Sequence, residues 1–235
     1  MKMLKLPEDI ESNCLGSGCP NNCWFCKEPI EVIYKGIPKF EKDKIYLYDM
    51  NILAYPDPYK ILTELGETKK YIELSSGIDF RRLDLPIACL LRKYRFGRFN
   101  KKTSKWSRYI RIAWDGKQIL QYEILDALKL LLASGFKANQ IGIFMLVNGR
   151  DCNIEECRRK LDTIKYWGCQ VDDCCFDGGY PESKIDYISN PRFNFAHIWQ
   201  YDDIKAFRKE CRKHNQKVTR FGIDPELRNS NQRGK

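Results

Sequence analysis

The sequence predicts an α/β fold, a partial (β/α)6 barrel of the TIM type with parallel strands. Apolar runs rich in branched and aromatic residues alternate with segments of helical period between residues 55 and 168. Within that region, residues 141–147 are almost continuously apolar, which is typical of a parallel strand buried on both faces. No low-complexity linker interrupts the chain, so residues 1–228 are predicted as one domain and residues 229–235 as a tail.

Six strands are predicted from these short apolar runs. Because helical segments separate most of them, the connections should be right-handed crossovers within a parallel sheet. Such a sheet is either open or curled into a partial barrel of about six units, and we favour the partial barrel. The predicted strands cover residues 10–15, 45–48, 71–74, 109–113, 141–147 and 170–176.

Four helices are predicted from apolar residues at helical spacing. Asp57 followed by Pro58 is typical of a helix start. Asn153 with Glu156 three residues later indicates another start, and Gly168 is placed to end that helix. The predicted helices cover residues 58–65, 119–134, 154–167 and 202–214.

Composition favours a cytoplasmic protein without a membrane span. The N-terminal residues lack the apolar region of an export signal, and no stretch approaches the roughly 18 apolar residues of a spanning helix. Eleven cysteines in a chain of this size fit reduced thiols better than a disulfide framework. With His197 and His214 as the only histidines, metal chemistry is expected to belong to cysteine.

A cluster of three cysteines follows the first predicted strand, in the segment Gly18-Cys19-Pro20-Asn21-Asn22-Cys23-Trp24-Phe25-Cys26. A loop at the carboxyl end of a barrel strand opens onto the face where such folds place their chemistry. Three thiolates can hold three irons of a four-iron cluster, which leaves the fourth iron open to a small molecule.

This CxxxCxxC segment, with the aromatic Phe25 before the last cysteine, resembles the cluster-binding loop of the radical S-adenosylmethionine superfamily. The resemblance extends to about Gly168. It implies that Cys19, Cys23 and Cys26 ligate a [4Fe–4S] cluster whose unique iron binds S-adenosylmethionine. It also implies an electron donor such as flavodoxin or ferredoxin, and a 5′-deoxyadenosyl radical that abstracts hydrogen from a substrate.

The alternative interpretation of the cysteines is a noncatalytic zinc- or nucleic-acid-binding module. Zinc knuckles usually carry two CxxC pairs, or one pair with histidines. Cys14 offers a fourth zinc ligand, so the spacing alone leaves this alternative open.

The resemblance implies further cofactor-binding residues after the third strand. Ser75, Ser76 and Gly77 are candidates to bind the amino group of the methionine moiety, although the family's Gly-Gly-Glu form is absent. A simple polar turn is the alternative.

Two later strand ends carry the remaining cofactor candidates. Arg111 and Asp115 lie where a charged side chain would face the cofactor carboxylate or ribose, and the alternative is an ordinary strand-end ion pair. Asn148 and Gly149 lie where related enzymes place backbone atoms near the adenine, and the alternative is a plain turn.

Cys174 and Cys175 are predicted at the end of the sixth strand. One of the two thiols is a candidate hydrogen-atom donor to a substrate radical, or part of an auxiliary site. The alternative is a small buried side chain with no chemical role.

A basic segment from Arg92 to Arg111 contains nine Lys or Arg residues and no Asp or Glu, interleaved with aromatic residues. Cations neutralise phosphates and aromatic rings stack on unpaired bases, so RNA is a substrate hypothesis. A solvated charged loop beside core aromatics is the alternative. The substrate itself stays unknown at this stage.

Overall fold

The computed structural model describes residues 6–23, 25–100, 102–115, 120–148, 153–175 and 199–221. These residues form a mixed α/β protein. The chain divides into two compact units, the first of Met1–Ile112 with Asp126–Phe136 and the second of Ala113–Leu125 with Lys137–Lys235. Among the described residues, no helix has the length and apolar content needed to cross a membrane.

The first unit is built on a five-stranded sheet in the order β1-β4-β5-β6-β7. The pairs from β1 to β6 are parallel, whereas β6 and β7 form an antiparallel hairpin. A separate antiparallel pair joins β2 and β3. The strands are β1 (Ile10–Asn13), β2 (Gly16–Ser17), β3 (Ile33–Tyr34), β4 (Lys44–Leu47), β5 (Tyr71–Leu74), β6 (Phe96–Phe99) and β7 (Trp106–Arg108), followed by β8 (Ile110–Ala113), in which the division between the units falls.

Two helices of the first unit begin at capping aspartates. In α1 (Pro58–Glu67), the side chain of Asp57 accepts a hydrogen bond from the backbone N–H of Lys60 at 3.0 Å. In α2 (Leu85–Lys93), Asp84 accepts one from the backbone N–H of Ile87 at 2.8 Å. Aspartate at this position satisfies a backbone donor that the helix leaves unpaired. Short 3-10 helices cover Ile52–Ala54 and Phe80–Arg82, and α3 (Gln121–Ala133) begins in the second unit and ends in the first.

In the second unit, β9 (Ile141–Val147) and β10 (Gln170–Cys175) pair in parallel, and α4 (Ile154–Trp167) connects them. Asn153 caps α4, and Gly168 ends it with a φ of 70°. The last helix, α5 (Tyr201–Phe221), packs on β10, where the side chain of Asn215 bonds the backbone N–H and carbonyl of Val171 at 2.8 and 2.6 Å.

The six predicted strands are all present, each ending within two residues of its predicted bounds where the chain is described. The predicted first helix is confirmed at its start, but it continues through Glu67 rather than ending at Gly66. Gly66 lies against Tyr94, where a Cβ atom would be 2.1 Å from the ring. Helix α5 is longer than predicted and runs through Phe221.

Sequence reasoning missed α2 and the hairpin of β6 and β7. Both lie in or beside the basic segment. Its many charged residues made the pattern of a helix or a strand harder to recognise there. Asp84 with a proline at the helix start was one such signal. The observed sheet has four parallel strands, and its edge strand β7 is antiparallel to β6.

Candidate metal centre

The cysteine loop leaves the sheet at the carboxyl end of β1 and is closed at its base by the β2–β3 ladder. Gly18 has a φ of +90°, and a Cβ atom there would be 1.8 Å from the carbonyl oxygen of Glu31. Only glycine fits so close an approach of two backbone segments. The backbone N–H of Cys19 then donates to the carbonyl of Pro29 at 2.8 Å, which holds the loop together above the ladder.

The three cysteines of the predicted cluster lie on this one loop, and all are half-buried. The backbone N–H of Cys26 donates to the carbonyl of Cys23 at 2.9 Å, so these two residues share a tight turn. Phe25, within that turn, is also half-buried.

Asp49 anchors the start of the loop to the end of β4. Its Oδ1 accepts hydrogen bonds from the backbone N–H of Leu15 at 2.8 Å and from the hydroxyl of Tyr55 at 2.6 Å. Burial raises the pKa of Asp49, although these hydrogen bonds oppose the shift. Burial and the neighbouring Asp49 also raise the pKa of Tyr55 far above its ordinary value, so this phenol is a hydrogen-bond donor.

Asp79 joins three segments that follow different strands. Its Oδ2 accepts from Nδ2 of Asn21 at 2.8 Å and from Nδ2 of Asn51 at 3.0 Å, while its Oδ1 accepts from Nε of Arg81 at 2.8 Å. Asn51 Nδ2 also lies 3.6 Å from Cys19 Sγ, within the range of a hydrogen bond to sulfur. The carboxyl ends of β1, β4 and β5 are therefore bonded to one another beside the cysteines.

The charged form of Asp79 is favoured within this network. Burial would raise the pKa of Asp79, but the hydrogen bonds from Arg81 and Asn21 outweigh burial and lower it below its ordinary value. A carboxylate accepts hydrogen bonds only, so each neighbour has to present a donor.

Among the described residues, no group of three or more His, Cys, Asp or Glu side chains forms an arrangement that could hold a metal ion. The donor set of the loop nevertheless fits an iron–sulfur cluster, because such clusters are held by cysteine thiolates. The buried Oδ1 of Asn51 and Oδ2 of Asp49, both after β4, have no hydrogen-bond partner among the described residues.

The residues after β5 form a turn near the loop. The backbone N–H of Ser75 donates to the carbonyl of Leu47 at 2.9 Å, and Ser76 Oγ lies 3.7 Å from Met50 Sδ. Gly77 has a φ of +85°, and a Cβ atom there would be 3.2 Å from the Cβ of Arg111. The three residues thus lie at the same edge of the sheet as the cysteine loop.

Arg111 forms the ion pair that sequence analysis gave as the alternative to cofactor binding. Its Nη1 lies 3.0 Å from Glu73 Oε1, and the side chains of Arg111 and Glu73 are 15% and 2% exposed. The backbone N–H of Phe99 donates to the other oxygen of Glu73 at 2.7 Å. A buried carboxylate requires such partners, which gives Arg111 a structural role in the first unit.

The remaining cofactor candidates belong to the second unit. Asp115 is half-buried, and Asn148 is buried with its Oδ1 accepting from the backbone N–H of Trp199 at 3.2 Å. Asn148 has a φ of 57°, so it adopts the left-handed conformation that a turn after β9 requires. Gly149 lies outside the described residues.

Cys174 lies on β10 opposite Leu146 of β9. Burial, with a smaller contribution from Asp115, raises the pKa of the Cys174 thiol to about 11. The thiol is therefore protonated at neutral pH, as a hydrogen-atom donor has to be. The backbone of Cys175 ends β10, and the surroundings of its side chain lie outside what the structure describes.

Much of the basic segment stabilises the fold. Arg108 donates to the carbonyls at the end of α2, including that of Arg92 at 2.8 Å, and Arg98 stacks over Tyr109 at 3.8 Å. Three of its aromatic residues are buried, so no base can stack on them; they are Phe96, Phe99 and Tyr109. Lys102 and Lys105 remain exposed, and Lys101 lies outside the described residues.

A comparison of the chain with protein-family models and with curated proteins found no match.

Sequence reasoning named the cysteines but not the residues that hold their loop. Asn21 was named as part of the cysteine segment, whereas Asp49, Asn51 and Asp79 were not singled out. Their polarity after short apolar strands was the available signal, since the carboxyl ends of parallel strands meet at one edge. Their pairing with one another depends on tertiary structure and has no signature in the sequence.

Proposed function

We propose that the chain binds a [4Fe–4S] cluster and cleaves S-adenosylmethionine reductively to begin radical chemistry on a substrate. Cys19, Cys23 and Cys26 would hold the cluster. When bound, such a cluster supplies the single electron that splits the sulfonium into methionine and a 5′-deoxyadenosyl radical.

The observation that carries the proposal is the position of the three thiols. They lie on one half-buried loop at the carboxyl end of a parallel strand, and that loop is fixed at its base by β2 and β3. A network from the ends of β4 and β5 reaches the same loop and includes a donor to Cys19 Sγ. Chemistry in parallel α/β folds is concentrated at this edge of the sheet.

Cluster binding is expected to draw the three thiolates together. Metal sites made of cysteine often form only when the metal binds, because the binding free energy also orders the ligands. In this proposal β1, β4, β5, β8, β9 and β10 are the six strands of a partial barrel. Ser75, Ser76 and Gly77 are the residues of the first unit proposed to bind the methionine moiety.

The proposal is tested by anaerobic reconstitution with iron and sulfide, followed by reduction in the presence of S-adenosylmethionine. We expect four irons per chain and formation of 5′-deoxyadenosine. A reconstituted cluster that yields no 5′-deoxyadenosine would contradict the catalytic claim. Protein purified under nitrogen that holds stoichiometric zinc and no iron would support the zinc module instead.

A further inference from the structure

Asn51 is a buried amide beside one of the three proposed cluster ligands. It is 3% exposed and follows β4, and its Nδ2 lies 3.6 Å from Cys19 Sγ and 3.0 Å from Asp79 Oδ2. A side-chain amide nitrogen carries two hydrogens, so it can serve both acceptors at once.

Asp79 determines which way this amide faces. Because its carboxylate accepts hydrogen bonds only, the nitrogen of Asn51 and not the oxygen has to point toward it. Asp79 is itself held by Asn21 and by Arg81, so the acceptor is fixed in place. The second hydrogen of the Asn51 amide is then directed at Cys19 Sγ.

We propose that Asn51 is a positioning residue that donates a hydrogen bond to the Cys19 thiolate of the cluster and raises the reduction potential of that cluster. This inference rests on the proposed function. One electron enters the cluster on reduction, and part of the added negative charge resides on the thiolate sulfurs. An N–H donor stabilises that charge, which favours the reduced state.

The test is a redox titration of the reconstituted cluster, followed by electron paramagnetic resonance without S-adenosylmethionine. Leucine is close to asparagine in shape and has no donor. In Asn51→Leu we expect the ratio of oxidised to reduced cluster at a fixed potential to rise about tenfold, a shift of 59 mV to lower potential for a one-electron couple. A ratio within twofold of the wild-type value would overturn the inference.

Asn13→Leu is the matched control, because the Asn13 amide on β1 donates to Glu11 at 3.4 Å rather than to Asp79 or a cysteine sulfur. We expect a change of less than threefold in that variant. An equal shift in both variants would contradict a specific role for Asn51. If the wild type forms no cluster, the proposed function fails; if it does and only the shift is missing, the inference alone fails.

Asn51→Asp provides a second variant of nearly unchanged shape, should leucine prevent folding. An aspartic acid carries at most one proton, and Asp79 would accept it, so the sulfur again loses its donor. A potential equal to that of the wild type would overturn the inference here too.

A measurement on the wild type requires no variant. Asparagine labelled with 15N at the side-chain amide should give a 15N coupling to the electron spin of the reduced cluster. Absence of any coupling would overturn the inference.

Discussion

Asp49 is a buried carboxyl group whose hydrogen bonds join the start of the cysteine loop to Tyr55. One of its oxygens has no partner among the described residues, and burial raises its pKa. Burying a charge in this way costs free energy, whereas the protonated form costs less. The protonation state of Asp49, and therefore its contribution to stability, depends on pH.

We predict that the free energy of unfolding of Asp49→Asn, relative to the wild type, increases with pH. A carboxyl group whose pKa is raised on folding stabilises the protein below its unfolded pKa of about 3.9. That contribution is lost as the pH rises through the higher folded pKa, and asparagine does not titrate. Urea unfolding of both proteins at a series of pH values above about 3.9 measures the difference.

Asp43→Asn is the control for this experiment. A hydrogen bond from Lys70 lowers the pKa of Asp43, so its contribution to stability is present above the unfolded pKa and is lost as the pH falls. The difference between Asp43→Asn and the wild type should therefore change with pH in the opposite direction. A pH-independent difference for Asp49→Asn would refute the prediction.

Helix α4 shows how short-range chemistry sets the bounds of an element. The side chain of Asn153 accepts a hydrogen bond from the backbone N–H of Glu156 at 2.8 Å, and Gly168 ends the helix in the left-handed conformation. Cys157, Leu161 and Ile164 are buried on one face of the helix. The caps set the bounds of α4, and the apolar spacing sets the face that it buries.

We predict that Asn153→Ala lowers the free energy of unfolding by about 1 kcal/mol, because a backbone donor in the first turn of α4 loses its partner. Chemical denaturation measures this change. Asn153→Asp keeps a side-chain acceptor and should retain most of the stability. Equal losses in the two variants would show that the cap is not the cause.

Elements whose bounds depend on local chemistry were predictable from the sequence. The start of α1 and both ends of α4 follow from local caps, and Ile141–Val147 follows from an apolar run. The β6–β7 hairpin depends on pairing between two strands. The sequence of this segment does not show a clear strand pattern, because charged residues are frequent in it. The bonds of Asp79 to Asn21 and Asn51 join residues 58 and 28 positions apart, which no local pattern encodes.

For the molecule as a whole, the net charge of +10 favours acidic partners. Arg98, Arg108 and Arg111 are engaged in contacts within the fold. Lys102 and Lys105 stay exposed in the turn between β6 and β7. Of the residues of this turn that the structure describes, they are the cations that a phosphate backbone can reach.

We predict that Lys102→Glu with Lys105→Glu weakens RNA binding and flattens its salt dependence, by about 0.7 in logarithmic slope for each phosphate of single-stranded RNA that the variant no longer neutralises. Lys60→Glu with Lys129→Glu is the control, since both lysines are exposed on helices and the change in net charge is the same. Filter binding over a range of salt concentrations measures both. Equal effects of the two double variants would remove the turn from the RNA hypothesis.

The central claim is that three thiolates of one loop hold an iron–sulfur cluster. The most direct measurement is iron and sulfide content, with electron paramagnetic resonance of the reduced protein, for alanine variants of Cys19, Cys23 and Cys26 after anaerobic reconstitution. Cys89→Ala, at an exposed position on α2, is the matched control. We expect the wild type and Cys89→Ala to give the spectrum of a reduced [4Fe–4S] cluster and each of the three loop variants to lose it. An unchanged spectrum in Cys23→Ala, or no cluster in the wild type, would contradict the account.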